Sequence, residues 1–170
     1  FALLVSNLDF NVHYFRKYPE IALEQVDPNT VLIVEPSIVR ADNGLKVYSR
    51  TNQGFIFELS SVDGISWADT RLTEMPNPNS KPQFSNTSYG DFRIINGNSL
   101  IRDNLVFVDQ TTGKHLVIDR FKEVNDIQVS YPSFRIIDSI IYSTNTWYVN
   151  QVIGPLKGSI VFNRIPLNAS

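Results

Sequence analysis

The sequence predicts an all-β fold of repeated antiparallel units, a β-propeller, and three observations predict it. Short runs rich in Val, Ile, Phe and Tyr recur along the 170 residues, separated by Gly, Pro, Asn and Asp. Strands punctuated by turns read this way. Three segments, "EPSIVR" from Glu35, "KPQFSN" from Lys81 and "YPSFRI" from Tyr131, share Pro in second place and Ile or Phe in fourth. A second strand-like run and then a third with a hairpin follow each of them, giving units of roughly 45 residues, the length of a propeller blade.

In the first unit "EPSIVR" leads to "LKVYSR" and then to "FIFELSSVDG". In the second, "KPQFSN" leads to "FRIING" and "LVFVDQTTGK". In the third, "YPSFRI" leads to "IIYSTN" and "WYVNQVIGPLKG", with "GSIVFN" near the chain end. Pro in second place suits a strand start or edge, where no ladder hydrogen bond is lost. Residues 31–170 are therefore assigned to three four-stranded blades. Residues 1–30 match no unit and are left unassigned, with a partial blade as one option. Within them "FRKYPEIALEQV" has some helical character, interrupted by Pro19.

Hydrophobic residues make up 42% of the chain and aromatics 12%, enough for a core. The net charge of −2 offers no basic surface, so no nucleic-acid partner is expected. No run approaches the roughly 20 apolar residues of a membrane-spanning helix. Cysteine is absent, which excludes disulfides, thiolate metal sites and a Cys nucleophile. His13 and His115 are the only histidines and lack metal-ligand spacing. "DPNT" and "ADNG" read as turns with too few oxygens for calcium. No phosphate loop or nucleophile elbow occurs. Neither a metal nor a cofactor is expected. The chain begins at Phe1 without Met, as it would if an upstream segment had been removed, and "FALLVSN" is too short for a secretory signal. Sequons at Asn86 and Asn168 lean slightly toward a secreted or extracellular origin.

One hairpin carries a motif. Ser61-Val62-Asp63-Gly64-Ile65-Ser66-Trp67 combines a turn-forming Asp-Gly with a Trp just beyond it. It resembles the Asp-box of sialidase-type propellers, in which the Asp accepts backbone hydrogen bonds across the turn and the Trp packs beneath as an apolar plug. This copy is one residue shorter and has Ser where the motif has Thr. The job of such a box is structural.

Four segments in order, the first of them containing this hairpin, carry the likeness over residues 34–149. "VEPSIVRADNGLKVYSRTNQGFIFELSSVDGISW", "MPNPNSKPQF", "NGNSLIRDNL" and "VSYPSFRIIDSIIYSTNTW" are similar to the sialidase-related BNR-repeat propellers. The resemblance implies a six-bladed ring, and this chain supplies about half that length. Three arrangements remain open: part of a larger propeller, a ring completed by a second chain, or a divergent four-bladed ring using the first thirty residues. The early blades, which in sialidases carry an Arg of the carboxylate-binding triad and the acid/base Asp, have no counterpart here. The hairpin at "VDQTTGKHL" lacks the Ser and Trp of an Asp-box.

Ligands of propellers bind at one mouth of the central channel, where the first strands begin. The repeat places Glu35, Lys81 and Tyr131 at equivalent blade starts, bringing a carboxylate, an ammonium and a phenol toward one pocket. Arg50 and Arg102 are candidates for an anionic sugar, because a guanidinium fork matches a carboxylate. Asn79, in the Asn-Pro-Asn-Ser segment, joins Arg50, Lys81 and Arg102 as a candidate substrate-binding residue. The resemblance implies a Tyr nucleophile activated by a Glu, and so designates Tyr131 and Glu35 as the catalytic pair.

The bland alternatives are solvated strand-end charges for Glu35 and Lys81, a rim aromatic for Tyr131 and structural roles for both arginines. The reading is a sialidase-like protein that hydrolyses or binds an acidic sugar. The alternative is a non-enzymatic propeller that recognises carbohydrate or protein.

Overall fold

The computed structural model describes residues 2–6, 12–17, 33–64, 66–97, 100–120, 127–149 and 157–167. Among them every regular element is a strand. The chain order is β1 (Ala2–Ser6), β2 (Val12–Lys17), β3 (Ile33–Ala41), β4 (Gly44–Thr51), β5 (Phe55–Ser61), β6 (Ala68–Pro76), β7 (Gln83–Thr87), β8 (Gly90–Asn96), β9 (Asn104–Asp109), β10 (His115–Arg120), β11 (Ile127–Ile137), β12 (Ile140–Val149) and β13 (Lys157–Pro166). The helical expectation for "FRKYPEIALEQV" fails over Phe15–Lys17, which lie in β2; its remaining residues are outside the described ones.

Four antiparallel sheets result, each drawn from one contiguous stretch. β1 and β2 form a pair. Sheet I is β3-β4-β5-β6, sheet II is β7-β8-β9-β10 and sheet III is β11-β12-β13. These are meanders, as the repeat predicts, and they match the form of propeller blades. Sheet III has three strands among the described residues where four were expected.

The repeated proline belongs to the first strand of each sheet, but not always at its start: Pro36 and Pro132 lie inside β3 and β11, and only Pro82 stands at a strand start as expected. In sheets I and III it follows a β-bulge, where the register slips between Val34 and Ser37 and again between Ser130 and Ser133. Glu35 and Tyr131 fill those bulges with φ of 54° each. A bulge leaves one residue out of the ladder, so a Pro beside it forfeits no pairing. In sheet II, Pro82 directly precedes β7, and Lys81 does not share the left-handed backbone.

Sheets pack face to face in series. Between I and II, Val39, Tyr48 and Ile56 meet Phe84 and Ile95, with the Tyr48 and Phe84 rings stacked at 3.9 Å. Between II and III, Phe92, Ile94, Leu105 and Phe107 meet Val129, Phe134 and Ile141, with Phe107 edge-on to Phe134 at 5.4 Å. The fourth-place Phe of the repeat, Phe84 or Phe134, is thus the residue each sheet inserts into the one before it. Polar pins align the first strands. Ser37 Oγ donates to the Phe84 carbonyl and accepts from the Phe84 amide. The Asn86 side-chain amide pairs with the backbone of Arg40, accepting at 2.5 Å and donating at 3.0 Å.

The β5–β6 hairpin closes as an Asp-box should. Asp63 Oδ1 accepts from the Ser66 amide at 2.6 Å, and Ser61 Oγ accepts from the Gly64 amide at 2.8 Å. Gly44 lies under this hairpin at φ 134°, and a Cβ there would stand 2.1 Å from the Ser61 carbonyl oxygen. Trp67 is half-buried rather than fully buried, packing against Val47, Phe57 and Leu59. In the β9–β10 hairpin Asp109 alone keeps the motif's role. It accepts from the Thr111 and Thr112 amides and the Thr112 hydroxyl. Slight desolvation pushes its carboxyl up, but those bonds and nearby Lys114 outweigh it and hold the group below the usual carboxylate range.

Candidate functional site

Four of the six residues singled out from the sequence meet at one place, where sheets I, II and III bring their leading edges together. Arg50, near the end of β4, donates from Nη1 to Glu35 Oε2 at 2.9 Å and from Nε to Asn79 Oδ1 at 2.6 Å. Its side chain is 15% exposed and that of Glu35 is 30% exposed. The bulge at Glu35 aims this carboxylate out of the β3 ladder and toward the neighbouring β4 guanidinium.

Arg102, just ahead of β9, reaches the same loop from the other side. Its Nε donates to the Pro78 carbonyl at 3.2 Å and its Nη2 to the Asn79 carbonyl. Its Nη1 donates to Tyr148 Oη at 2.7 Å and Ser130 Oγ at 3.3 Å. The Asn77–Ser80 loop between them is internally closed: Asn77 Oδ1 accepts from the Ser80 amide at 2.6 Å, and Asn77 Nδ2 donates to the Ser80 carbonyl at 2.7 Å. Asn79 itself holds φ 57°, a conformation that Asn tolerates better than most residues.

Tyr131 directly follows Ser130, so its backbone lies beside the Arg102 contacts, and it is 46% exposed. Its hydroxyl makes no hydrogen bond among the described residues, to Glu35 or to any other group. Glu35 is engaged with Arg50. Lys81 makes no ion pair among the described residues, and it sits ahead of β7 without the bulge that orients Glu35 and Tyr131. The sequence argument placed these three at equivalent starts, and the backbone makes only Glu35 and Tyr131 true equivalents.

The sequence argument did not single out Tyr148, Gln128 or Ser130. Tyr148 accepts from Arg102 and donates to Gln128 Oε1 at 2.8 Å. The sequence reading puts Tyr148 in a third run, but β12 continues unbroken from Ile140 to Val149, so Tyr148 falls near the end of the second strand of its unit, as Arg50 does in the first. Behind these residues a buried polar layer ties sheet II to sheet III. Ser80 Oγ donates to Ser130 Oγ, and Asn96 Nδ2 donates to Ser80 Oγ and the Val129 carbonyl.

Two concavities lie away from this cluster. One of about 430 Å³ is lined by Tyr89, Phe92, Asp109, Lys114, His115 and Leu167. The other, of about 650 Å³, adjoins Asp42, Lys46, Ser60, Asp63 and Ser66 at the outer end of sheet I. Both sit at the turn ends of the sheets and lack the converging guanidinium, carboxylate and phenol. No group of three or more His, Cys, Asp or Glu placed to hold a metal occurs among the described residues.

Comparison with known protein families gives a match. The family model for the BNR repeat-like domain covers residues 7–141, spanning sheets I and II and reaching into β12. No curated protein sequence matches the chain.

Proposed function

From the premise that the chain belongs to the BNR repeat-like domain family, a sialidase-related propeller-repeat family, we propose that it binds an acidic glycan where the first strands of its sheets converge. One observation carries the reading. The Arg50 guanidinium spends two of its five N–H groups on Glu35 and Asn79, and the rest are unpaired among the described residues. A guanidinium fixed by two neighbours and still carrying free donors is a pre-set receptor for a sugar carboxylate. Tyr131, exposed and next in sequence to the Ser130 that Arg102 contacts, would supply an apolar face for a pyranose.

Hydrolysis at this site is a second reading, favoured by the backbone of Tyr131. A bulky non-Gly residue at φ 54° is strained, and such strain persists where a side chain must be held in a particular place. For Tyr131 to attack an anomeric carbon, Glu35 must take the phenol proton while the glycosidic C–O bond breaks and the aglycone oxygen leaves, taking its proton from water. That requires the carboxylate to turn from Arg50 toward the hydroxyl as substrate enters and itself occupies Arg50.

The experiment measures binding and hydrolysis of a panel of sialosides and uronate glycosides by wild type, Arg50→Met and Tyr131→Phe. Binding lost in Arg50→Met and kept in Tyr131→Phe is the expected result. Hydrolysis lost in Tyr131→Phe with binding kept would add the catalytic role. Binding without turnover in wild type leaves a carbohydrate-recognition module, and no binding across the panel ends the glycan reading.

A further inference from the structure

We propose that the concavity of about 430 Å³ between sheets II and III is a second binding site, for a small carboxylate that carries an aromatic or bulky apolar body. It lies at the turn ends of the sheets, away from the arginine cluster, and it stands independently of the glycan reading.

The repeat shows where this site comes from. Gly44 and Gly90 hold the same place in the first hairpins of sheets I and II, with φ of 134° and 130° and with Ala41 and Thr87 as their partners. Counting from these glycines, Tyr89 matches Asn43 and Phe92 matches Lys46. Lys46 stands opposite Ser60 on the third strand, and Phe92 stands opposite Asp109. Asn43, Lys46 and Ser60 line the concavity of about 650 Å³ on sheet I. Tyr89, Phe92 and Asp109 line the one of about 430 Å³. The two concavities are one place in the blade, furnished with different chemistry.

On sheet I that place is polar and is lined by sheet I alone. On sheet II the buried rings of Phe92 and Phe107, stacked at 5.1 Å, give it an apolar floor. Ile141 of sheet III and Leu167, just after β13, close the far side. Leu167 is fixed there by its amide, which donates to the Ser139 carbonyl at 2.8 Å.

The rim sets the charge of the ligand. Asp109 commits its carboxylate to its own hairpin, accepting from the Thr111 and Thr112 amides and the Thr112 hydroxyl. The side chains of Tyr89, Lys114 and His115 also line the concavity and make no hydrogen bond among the described residues. Three groups able to donate, beside one anion that is already satisfied, fit a head that only accepts, as a carboxylate does. An apolar floor with a few polar groups around it holds a small molecule by burying its body and orienting its head.

The test titrates the isotope-labelled protein with hydrocinnamate and follows the amide resonances, with hydrocinnamamide and propionate as controls. Shifts are expected at Tyr89, Lys114, His115 and Leu116, saturating in the millimolar range or below, while the Arg50 and Tyr131 amides stay in place. Hydrocinnamamide lacks the charge and propionate lacks the ring, so each should bind at least roughly tenfold more weakly. Lys114→Met, at an exposed position, should weaken hydrocinnamate by a similar factor and leave hydrocinnamamide unaffected. Its otherwise unchanged spectrum shows that the fold is intact. The proposal is overturned by an absence of shifts at millimolar hydrocinnamate, by equal affinity for acid and amide, or by full affinity in Lys114→Met. Shifts confined to the Arg50 and Tyr131 amides would also overturn it, by moving carboxylate binding to the arginine cluster, and would leave the glycan reading standing.

Discussion

Glu35 and Tyr131 occupy the same backbone site in two different sheets: each fills a bulge at φ 54°, and each is followed by Pro and Ser. The left-handed region costs a non-Gly residue roughly 1–2 kcal/mol. The Tyr131 side chain makes no hydrogen bond among the described residues to offset that cost. Tyr131→Gly is therefore expected to be more stable than Tyr131→Ala by about 1 kcal/mol in urea unfolding, while both lose any function of the phenol. Equal midpoints for the two variants would mean the bulge carries no strain.

Gly44 admits no side chain. A Cβ would meet the Ser61 carbonyl at 2.1 Å, and the φ of 134° is foreign to other residues. Gly44→Ala should destabilise by about 3 kcal/mol or more, because the clash is with backbone that cannot rotate away. Gly113, with nothing near its Cβ position, is the control. Gly113→Ala should cost only the φ penalty, about 1–2 kcal/mol. A thermal midpoint for Gly44→Ala no lower than for Gly113→Ala would contradict the packing.

Tyr48 gives stability an alkaline limit. Burial pushes its hydroxyl above the ordinary value of 10.0, and the nearby Glu58 carboxylate, with a hydrogen bond to it, adds to the rise. A group whose pKa is raised on folding contributes stability that is complete below the unfolded value and is lost as pH climbs toward the folded one. Unfolding free energy should therefore fall above pH 10, with a Tyr48 component of up to about 1.4 kcal/mol per pH unit. Tyr48→Phe should remove that component. Identical slopes in wild type and variant would remove Tyr48 as the cause.

Sheet III shows the face by which sheets I and II receive their successors. The row Ser37–Tyr48–Glu58 in sheet I packs on Phe84 of sheet II. Its counterpart in sheet III is Ser133–Thr144–Phe162. There Phe162 is 64% exposed and Ile160 80% exposed. We propose that the occupant of this face is another sheet of the same kind, from a second chain or a further part of the propeller, inserting an apolar residue as Phe84 and Phe134 do. The 170 residues alone should self-associate in light scattering, and Phe162→Glu with Ile160→Glu should abolish it. A wild-type monomer at high concentration would count against the proposal.

Much of this was legible in the sequence because the repeat is written in residues with rigid requirements. Pro36, Pro82 and Pro132 mark the first strand of each sheet, and Phe84 and Phe134 mark the inserted side chain. Asp63 and Gly64 fix the hairpin. Glu35, Arg50, Asn79 and Arg102 were visible as charged or amide groups at strand ends. What was not visible was the use of each guanidinium. Arg102 has four of its five N–H groups engaged by carbonyls and hydroxyls that residue types alone do not reveal, and Tyr148 reads as one more aromatic in an alternating strand. Nor could Lys81 be told from Glu35 and Tyr131, since a bulge is a matter of register and leaves no mark in composition.

Because every sheet is cut from one unbroken stretch of chain, the order of strands in space is the order of their synthesis. A nascent sheet I can close before sheet II has been made, and it then offers Tyr48 and Ile56 as the surface on which Phe84 lands. Strand pairing within a unit spans short loops, so it escapes most of the entropic cost that slows other all-β proteins. Folding should run along the chain like a seam being closed, with a lesion such as Gly44→Ala stalling its own sheet while β8 and β9 still find each other.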